Sequence, residues 1–103
     1  MLKELQIQLR HWQEHNFPGR PAWQPLLGLQ EELGELSHAY LKREQNIRVT
    51  ENHNENIRDA VADILIFLCD FCNAENIDIE TELQRTWTEV SKRDWRKQEE
   101  KLI

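Results

Sequence analysis

Glu31, Glu32 and Glu35 stand within five positions of one another in GLQEELGELSHA, and Asp59 and Asp63 stand four apart in RDAVADILIFLCDF. On a helix, residues three or four apart face the same way, so Glu31 and Glu32 both neighbour Glu35, and Asp59 neighbours Asp63. Like charges at those spacings repel. Asp63 also sits inside the longest apolar run of the chain, where an unpaired carboxylate is costly enough to neutralise or find a partner. The nearest cation on that helix, Arg58, points elsewhere. A metal ion shared by Glu32 and Glu35 on one helix and Asp63 on the next balances these charges together. Hard carboxylate oxygens without Cys or His suit Mg2+, or Mn2+, and Mg2+ binds substrate phosphates as well. Taken alone, E-E-x-x-E equally describes solvated glutamates on the outer face of an amphipathic helix. Asp70, two turns beyond Asp63, either falls near the same face or is simply exposed.

Two other groupings invite chemistry. Cys69 and Cys72 form a C-x-x-C, but they lie inside an apolar helical run, and no second cysteine pair completes a zinc site. They read as buried, reduced core thiols. Glu35 and His38 form a Glu-x-x-His, the helical unit of di-iron carboxylate bundles, which require two copies and two further glutamates. One copy is present, so His38 reads as a surface or subunit-contact histidine.

The elements that must position these groups are helices. Only 3 glycines and 3 prolines occur, all between positions 18 and 34, and the rest is rich in good helix formers. Leu2, Leu5, Leu9 and Trp12 give residues 2 to 15 one apolar stripe. Pro18, Gly19 and Pro21 make residues 16 to 24 a loop, and Pro25 suits the first turn of a second helix reaching about Glu44. Its stripe is Leu26, Leu29, Leu33, Leu36 and Tyr40. Gly28 and Gly34 weaken it by up to ~1 kcal/mol each, as happens where another backbone or a ligand comes close. QNIRVTENHNEN is a surface connection. A third helix over about 55 to 75 is apolar nearly all round and belongs at the centre of an assembly. Asp78 caps a fourth, with Ile79, Leu83, Trp87 and Val90 as its stripe. Trp23, Trp87 and Trp95 read as packing residues, while Trp12 is either core or available for stacking.

At 103 residues and 12.4 kDa the chain reads as one domain with a modest core, which association would enlarge. A formal charge of -6 argues against binding a nucleic-acid polymer through clustered Lys and Arg. An anionic substrate needs a cation to mediate. No run of apolar residues is long enough for a membrane span, and MLKELQIQLRHWQ lacks a signal peptide's apolar centre, so a cytoplasmic protein is expected.

The ordered set HWQEHNF, LLGLQEELGELSHAYLKREQNIR, IRDAVADILIFLCDF and TWTEVSKRDW resembles the all-alpha nucleoside triphosphate pyrophosphohydrolases of the MazG type over most of the chain. Glu31, Glu32 and Glu35 match that family's E-E-x-x-E, and Asp63 matches the last residue of its E-x-x-D. Ala60 stands where the pattern has glutamate, and Asp59, one residue earlier, is the candidate substitute. The resemblance implies an all-alpha bundle of four helices per chain, completed as a homodimer or homotetramer. It implies Mg2+-dependent cleavage of a nucleoside triphosphate between the alpha and beta phosphates. Glu32, Glu35, Asp59 and Asp63 would hold the metal, and Glu31 and Glu32 would share the roles of base and ligand. Lys92 and Arg93 would approach the phosphates, and Trp12, Asn16 and Phe17 would meet the base. A non-catalytic helical interaction module, which expects no metal dependence, and a phosphoribosyl-ATP pyrophosphohydrolase are the alternatives.

Overall fold

The computed structural model describes residues 1–96, which form four α-helices and no strand: α1 (Leu2–Asn16), α2 (Trp23–Gln45), α3 (His53–Ala74) and α4 (Ile79–Val90). The boundaries follow local chemistry. Gly19 turns the α1–α2 loop in the left-handed region, with φ 71, which a residue without Cβ adopts at no steric cost. Asn46 ends α2 in the left-handed conformation, its N–H returning to Arg43 and that of Ile47 to Lys42, a paired closure of the last helical carbonyls. Asn52 accepts from the Glu55 N–H while its own amide donates to Glu55 Oε2 at 3.0 Å. This reciprocal cap starts α3 two residues earlier than the apolar periodicity suggested. Asp78 caps α4 as expected, accepting from Glu80 and Thr81.

α2 and α3 form an antiparallel hairpin. Gly28 near the start of α2 meets Phe67 late in α3, while Arg43 near the end of α2 donates to Asn54 at 2.9 Å. Gly28 is required here: a Cβ would lie 2.7 Å from Phe67 Cδ1. Gly34, by contrast, has nothing within 4 Å of a built Cβ, so no close approach explains it.

α1 packs on the C-terminal half of α3 through a polar lock. Gln6 Nε2 donates to Asn73 Oδ1 at 3.1 Å and to the Ile77 carbonyl at 2.9 Å, and Gln6 Oε1 accepts from the Ile79 N–H at 3.0 Å. Asn73 Nδ2 returns a bond to the Gln6 carbonyl at 2.9 Å. The Gln6 amide is thus saturated, as a buried amide must be to avoid a desolvation penalty of about 1–3 kcal/mol. The buried residues of α1 are therefore Gln6, Leu9 and Gln13: Leu9 is buried as the expected stripe requires, whereas Leu2 and Leu5 are half-buried and Trp12 is exposed. Polar groups on the facing part of α3 rotate the contact.

α4 packs mainly on α1 and buries none of its residues. Leu83 is 55% and Trp87 63% exposed, and Trp23 and Trp95 are exposed too, so the tryptophans expected to pack do not do so within one chain. Leu26, Leu33 and Tyr40 of α2 and Val61, Leu65 and Ile66 of α3 are likewise uncovered. The radius of gyration is 18.1 Å, against about 13 Å for a compact domain of this length. A single chain is an open arrangement of helices whose apolar faces exceed what it covers itself. No helix among the described residues is long and apolar enough to cross a membrane.

Candidate functional site

Glu32 and Glu35 lie one turn apart on α2, and Asp63 faces them from α3. Glu32 is half-buried, and its Oε2 is sealed from solvent without a hydrogen-bond partner. Burial raises the Glu32 carboxyl above its ordinary range. The negative charges of Glu35 and Asp63, the closeness of the Glu35 carboxyl, and the charge of Glu31 add to the rise. Each cause opposes ionisation. The helix-pair geometry therefore joins acids from both halves of the sequence around one desolvated oxygen.

Asp59 is exposed, one turn before Asp63, and Ala60 is 3% exposed. Among the described residues no three His, Cys, Asp or Glu side chains are grouped tightly enough to hold a metal as they stand. The donor chemistry nevertheless fits a hard divalent cation: Glu32, Glu35 and Asp63 offer carboxylate oxygens, and Glu32 Oε2 is an orphaned acceptor. Cys69 and Cys72 are free and buried, and burial raises both thiols, in keeping with inert core cysteines.

Beside this cluster lies a hollow of about 400 Å³ between α1, the start of α2 and α3, with Asp63 in its wall. Its apolar walls include Leu9, Trp12, Phe17, Pro25, Ile66 and Phe67. The Trp12 and Phe17 rings are tilted at 59° with centroids 5.8 Å apart. A volume and lining of this kind suit a small flat ligand with an apolar body. The structure thus places Trp12 and Phe17 in one cavity but not Asn16, whose side-chain amide is spent on the Trp12 carbonyl at 2.7 Å. Lys92 and Arg93 are exposed beyond α4, with Lys92 Nζ 3.8 Å from Glu89. His38 is exposed, as expected.

Asp70 is the clearest departure from the sequence reading. It is 2% exposed, deep rather than superficial, and its Oδ1 accepts from Arg20 Nη2 in a buried ion pair. Arg20 Nη2 also donates to Gln13 Oε1 at 2.7 Å. Burial lowers the Arg20 guanidinium from its ordinary value. Gln13, Arg20, Gln24 and Asp70 all line the cavity. The sequence passes over Gln13, Arg20 and Gln24 and leaves Asp70 between two readings, although one signal exists: an acid in an apolar run requires a partner, and the loop arginine in PGRP supplies it.

Comparison of the chain with protein-family models, with curated proteins and with solved structures yields no match.

Proposed function

We propose that the chain is a nucleoside triphosphate pyrophosphohydrolase, cleaving between the alpha and beta phosphates to give a nucleoside monophosphate and pyrophosphate. The observation that carries this reading is Glu32: a desolvated carboxylate with an orphaned oxygen, pressed by Glu35 and by Asp63, which also walls an apolar hollow of about 400 Å³. Such an arrangement is unfavourable unless a cation is expected. Glu32, Glu35 and Asp63 would hold Mg2+, or Mn2+, with Asp59 at the exposed end of the same helix face. The cation would neutralise the phosphates and offset the repulsion an acidic chain exerts on them. With Glu32 committed to that task, Glu31, exposed on the same helix, is the carboxylate left to accept a proton from the attacking water. Trp12 and Phe17 would receive the base.

Self-association belongs to the proposal. The chain exposes 8248 Å², whereas a compact monomer of its mass would expose about 6,100 Å². A homodimer or homotetramer would cover Leu33, Val61, Leu83 and Trp87. It would also be the means of bringing Lys92 and Arg93 near phosphates, since α4 of the same chain packs mainly on α1.

The test is incubation with a panel of standard and modified nucleoside and deoxynucleoside triphosphates, with Mg2+ or with EDTA, monitored for monophosphate and pyrophosphate. Metal-dependent paired release is expected, and it should disappear in Glu32→Gln. Folded protein that releases no product from any member of the panel would refute the reading.

A further inference from the structure

Gly28 and Phe67 meet at the seam between the acid cluster and the hollow. Gly28 precedes Glu32 by one turn of α2, and Phe67 follows Asp63 by one turn of α3, so the contact adjoins the acids on both helices. It also adjoins the hollow, which is lined by Phe67 itself and by Pro25, one turn before Gly28. A Cβ at position 28 would stand 2.7 Å from Phe67 Cδ1 and 2.8 Å from Phe67 Cζ, with Cε1 nearer still. Ordinary contacts between carbon atoms lie at about 3.5–4.0 Å, so any side chain there requires the ring to retreat by roughly 1 Å. Gly34, on the same helix, has nothing within 4 Å of a built Cβ, so the restriction is particular to position 28.

What surrounds the ring sets the direction of that retreat. The α2 backbone at Gly28 stands behind it, and the hollow whose wall it forms offers open space in front. A displaced ring therefore takes volume from the hollow. At about 400 Å³ the hollow has little to lose, since small-molecule pockets run from about 300 to 1,000 Å³. Building on the pyrophosphohydrolase reading above, we propose that Gly28 is a specificity-determining position: its missing side chain lets Phe67 sit back against α2, and the depth so gained admits two-ring bases as well as one-ring bases. Glycine is a poor residue for the second turn of a helix, and the depth of the hollow accounts for its use there. Gly28 acts through Phe67 and is a positioning residue.

The experiment is calorimetric titration of the full-length protein in EDTA, with adenosine and guanosine as two-ring probes and cytidine and uridine as one-ring probes. Wild type should bind both classes. Gly28→Ala should weaken the two-ring probes about tenfold or more and the one-ring probes much less, with circular dichroism confirming the fold. Adding Phe67→Leu removes the ring that the new Cβ displaces, and the double variant should recover the wild-type ratio of two-ring to one-ring affinity. Phe67→Leu alone should hold that ratio at or above wild type while lowering Tm, which separates depth from stability. Gly34→Ala, which adds a Cβ in open space, should leave the ratio unchanged. Equal losses for both classes in Gly28→Ala, no loss in either, or no nucleoside binding by wild type would overturn the proposal. So would a folded double variant that recovers nothing, or a fall of the ratio in Phe67→Leu. Pyrophosphate release is scored separately. Release with a ratio indifferent to position 28 leaves the hydrolase reading standing and removes this one, and a ratio set by position 28 without release does the reverse.

Discussion

Replacing Glu32 by Gln should stabilise the metal-free protein and remove its response to Mg2+. Glu32 Oε2 is sealed without a partner and faces the charges of Glu35 and Asp63. Leaving a buried polar group unsatisfied costs about 1–3 kcal/mol. Gln keeps the shape, discards the charge and supplies an amide that can donate to a neighbouring carboxylate. A gain of about 1–2 kcal/mol at pH 7 in EDTA corresponds to a rise in Tm of roughly 4–15 °C for a domain of this size. The pH dependence has a definite sign. The folded-state carboxyl lies above the ordinary 4.5, so between that value and the raised one the folded chain binds more protons than the unfolded chain. Wild-type stability attributable to Glu32 therefore falls as pH rises through that interval and is restored as pH drops toward 4.5. The gap between wild type and variant should close over the same range. Mg2+ at tenfold its dissociation constant would stabilise the wild type by about 1.4 kcal/mol, and the variant much less. Differential scanning fluorimetry from pH 5 to 8, with EDTA or Mg2+, measures all three effects. A lower Tm for Glu32→Gln in EDTA would refute the burial argument, and equal Mg2+ shifts in both proteins would show that Glu32 holds no cation.

Asp70→Ala leaves the Arg20 guanidinium buried without its carboxylate, so urea unfolding should report a loss of about 3–5 kcal/mol, most of it recovered in the Arg20→Met, Asp70→Leu double variant. Gly28→Ala should lower the melting temperature despite better helix propensity, because the new Cβ displaces the Phe67 ring at a cost of about 1–3 kcal/mol. Gly34→Ala, with open space around it, should raise stability by up to ~1 kcal/mol. Leu83→Asp places a charge on the exposed stripe of α4 and should shift sedimentation toward the monomer; a wild type already monomeric at tens of micromolar would refute the association argument.

The helices were legible because their signals are local. The position of Pro25, the Asp78 cap and the apolar run after Ile57 each locate an element without knowledge of its neighbours. The acids were legible in part for the same reason: Glu32 and Glu35 share a helix turn, and Asp63 advertises itself by its apolar surroundings. What escaped was pairing across distance. Arg20 and Asp70 are 50 positions apart, and Gln6 and Asn73 are 67 apart. Nothing in the periodicity of α1 favours Gln6 and Gln13 over Leu2, Leu5 and Trp12 as inward residues. Only partners from distant or irregular parts of the chain make burying two glutamines acceptable: Asn73 of α3 for Gln6 and Arg20 of the α1–α2 loop for Gln13. The stripes of α2 and α4 were legible as apolar but not as uncovered, since periodicity reports that a face seeks burial without saying whether its own chain provides it.

Position 60 is where the chain departs from the pattern it resembles. Ala60 is 3% exposed and, by helical spacing, lies on the α3 face that carries Asp63 and Phe67, the residues that meet Glu32 and Gly28 of α2. The small residues Gly28 and Ala60 thus sit on the surfaces along which the two helices approach. Fewer acids would then face the cation, and Mg2+ affinity falls with the number of charged ligands. Asp59 lies on the exposed shoulder of the same helix and is a more distant substitute than a carboxylate at position 60 would be. In calorimetric Mg2+ titrations Asp63→Asn should therefore lose binding at least tenfold, Asp59→Asn should lose less, and Ala60→Glu should tighten it if the helix pair accommodates the longer side chain, which thermal melting reports independently. A loss in Asp59→Asn as deep as that in Asp63→Asn would mean that Asp59 turns inward when the metal binds. Asp59 would then supply the carboxylate that Ala60 cannot.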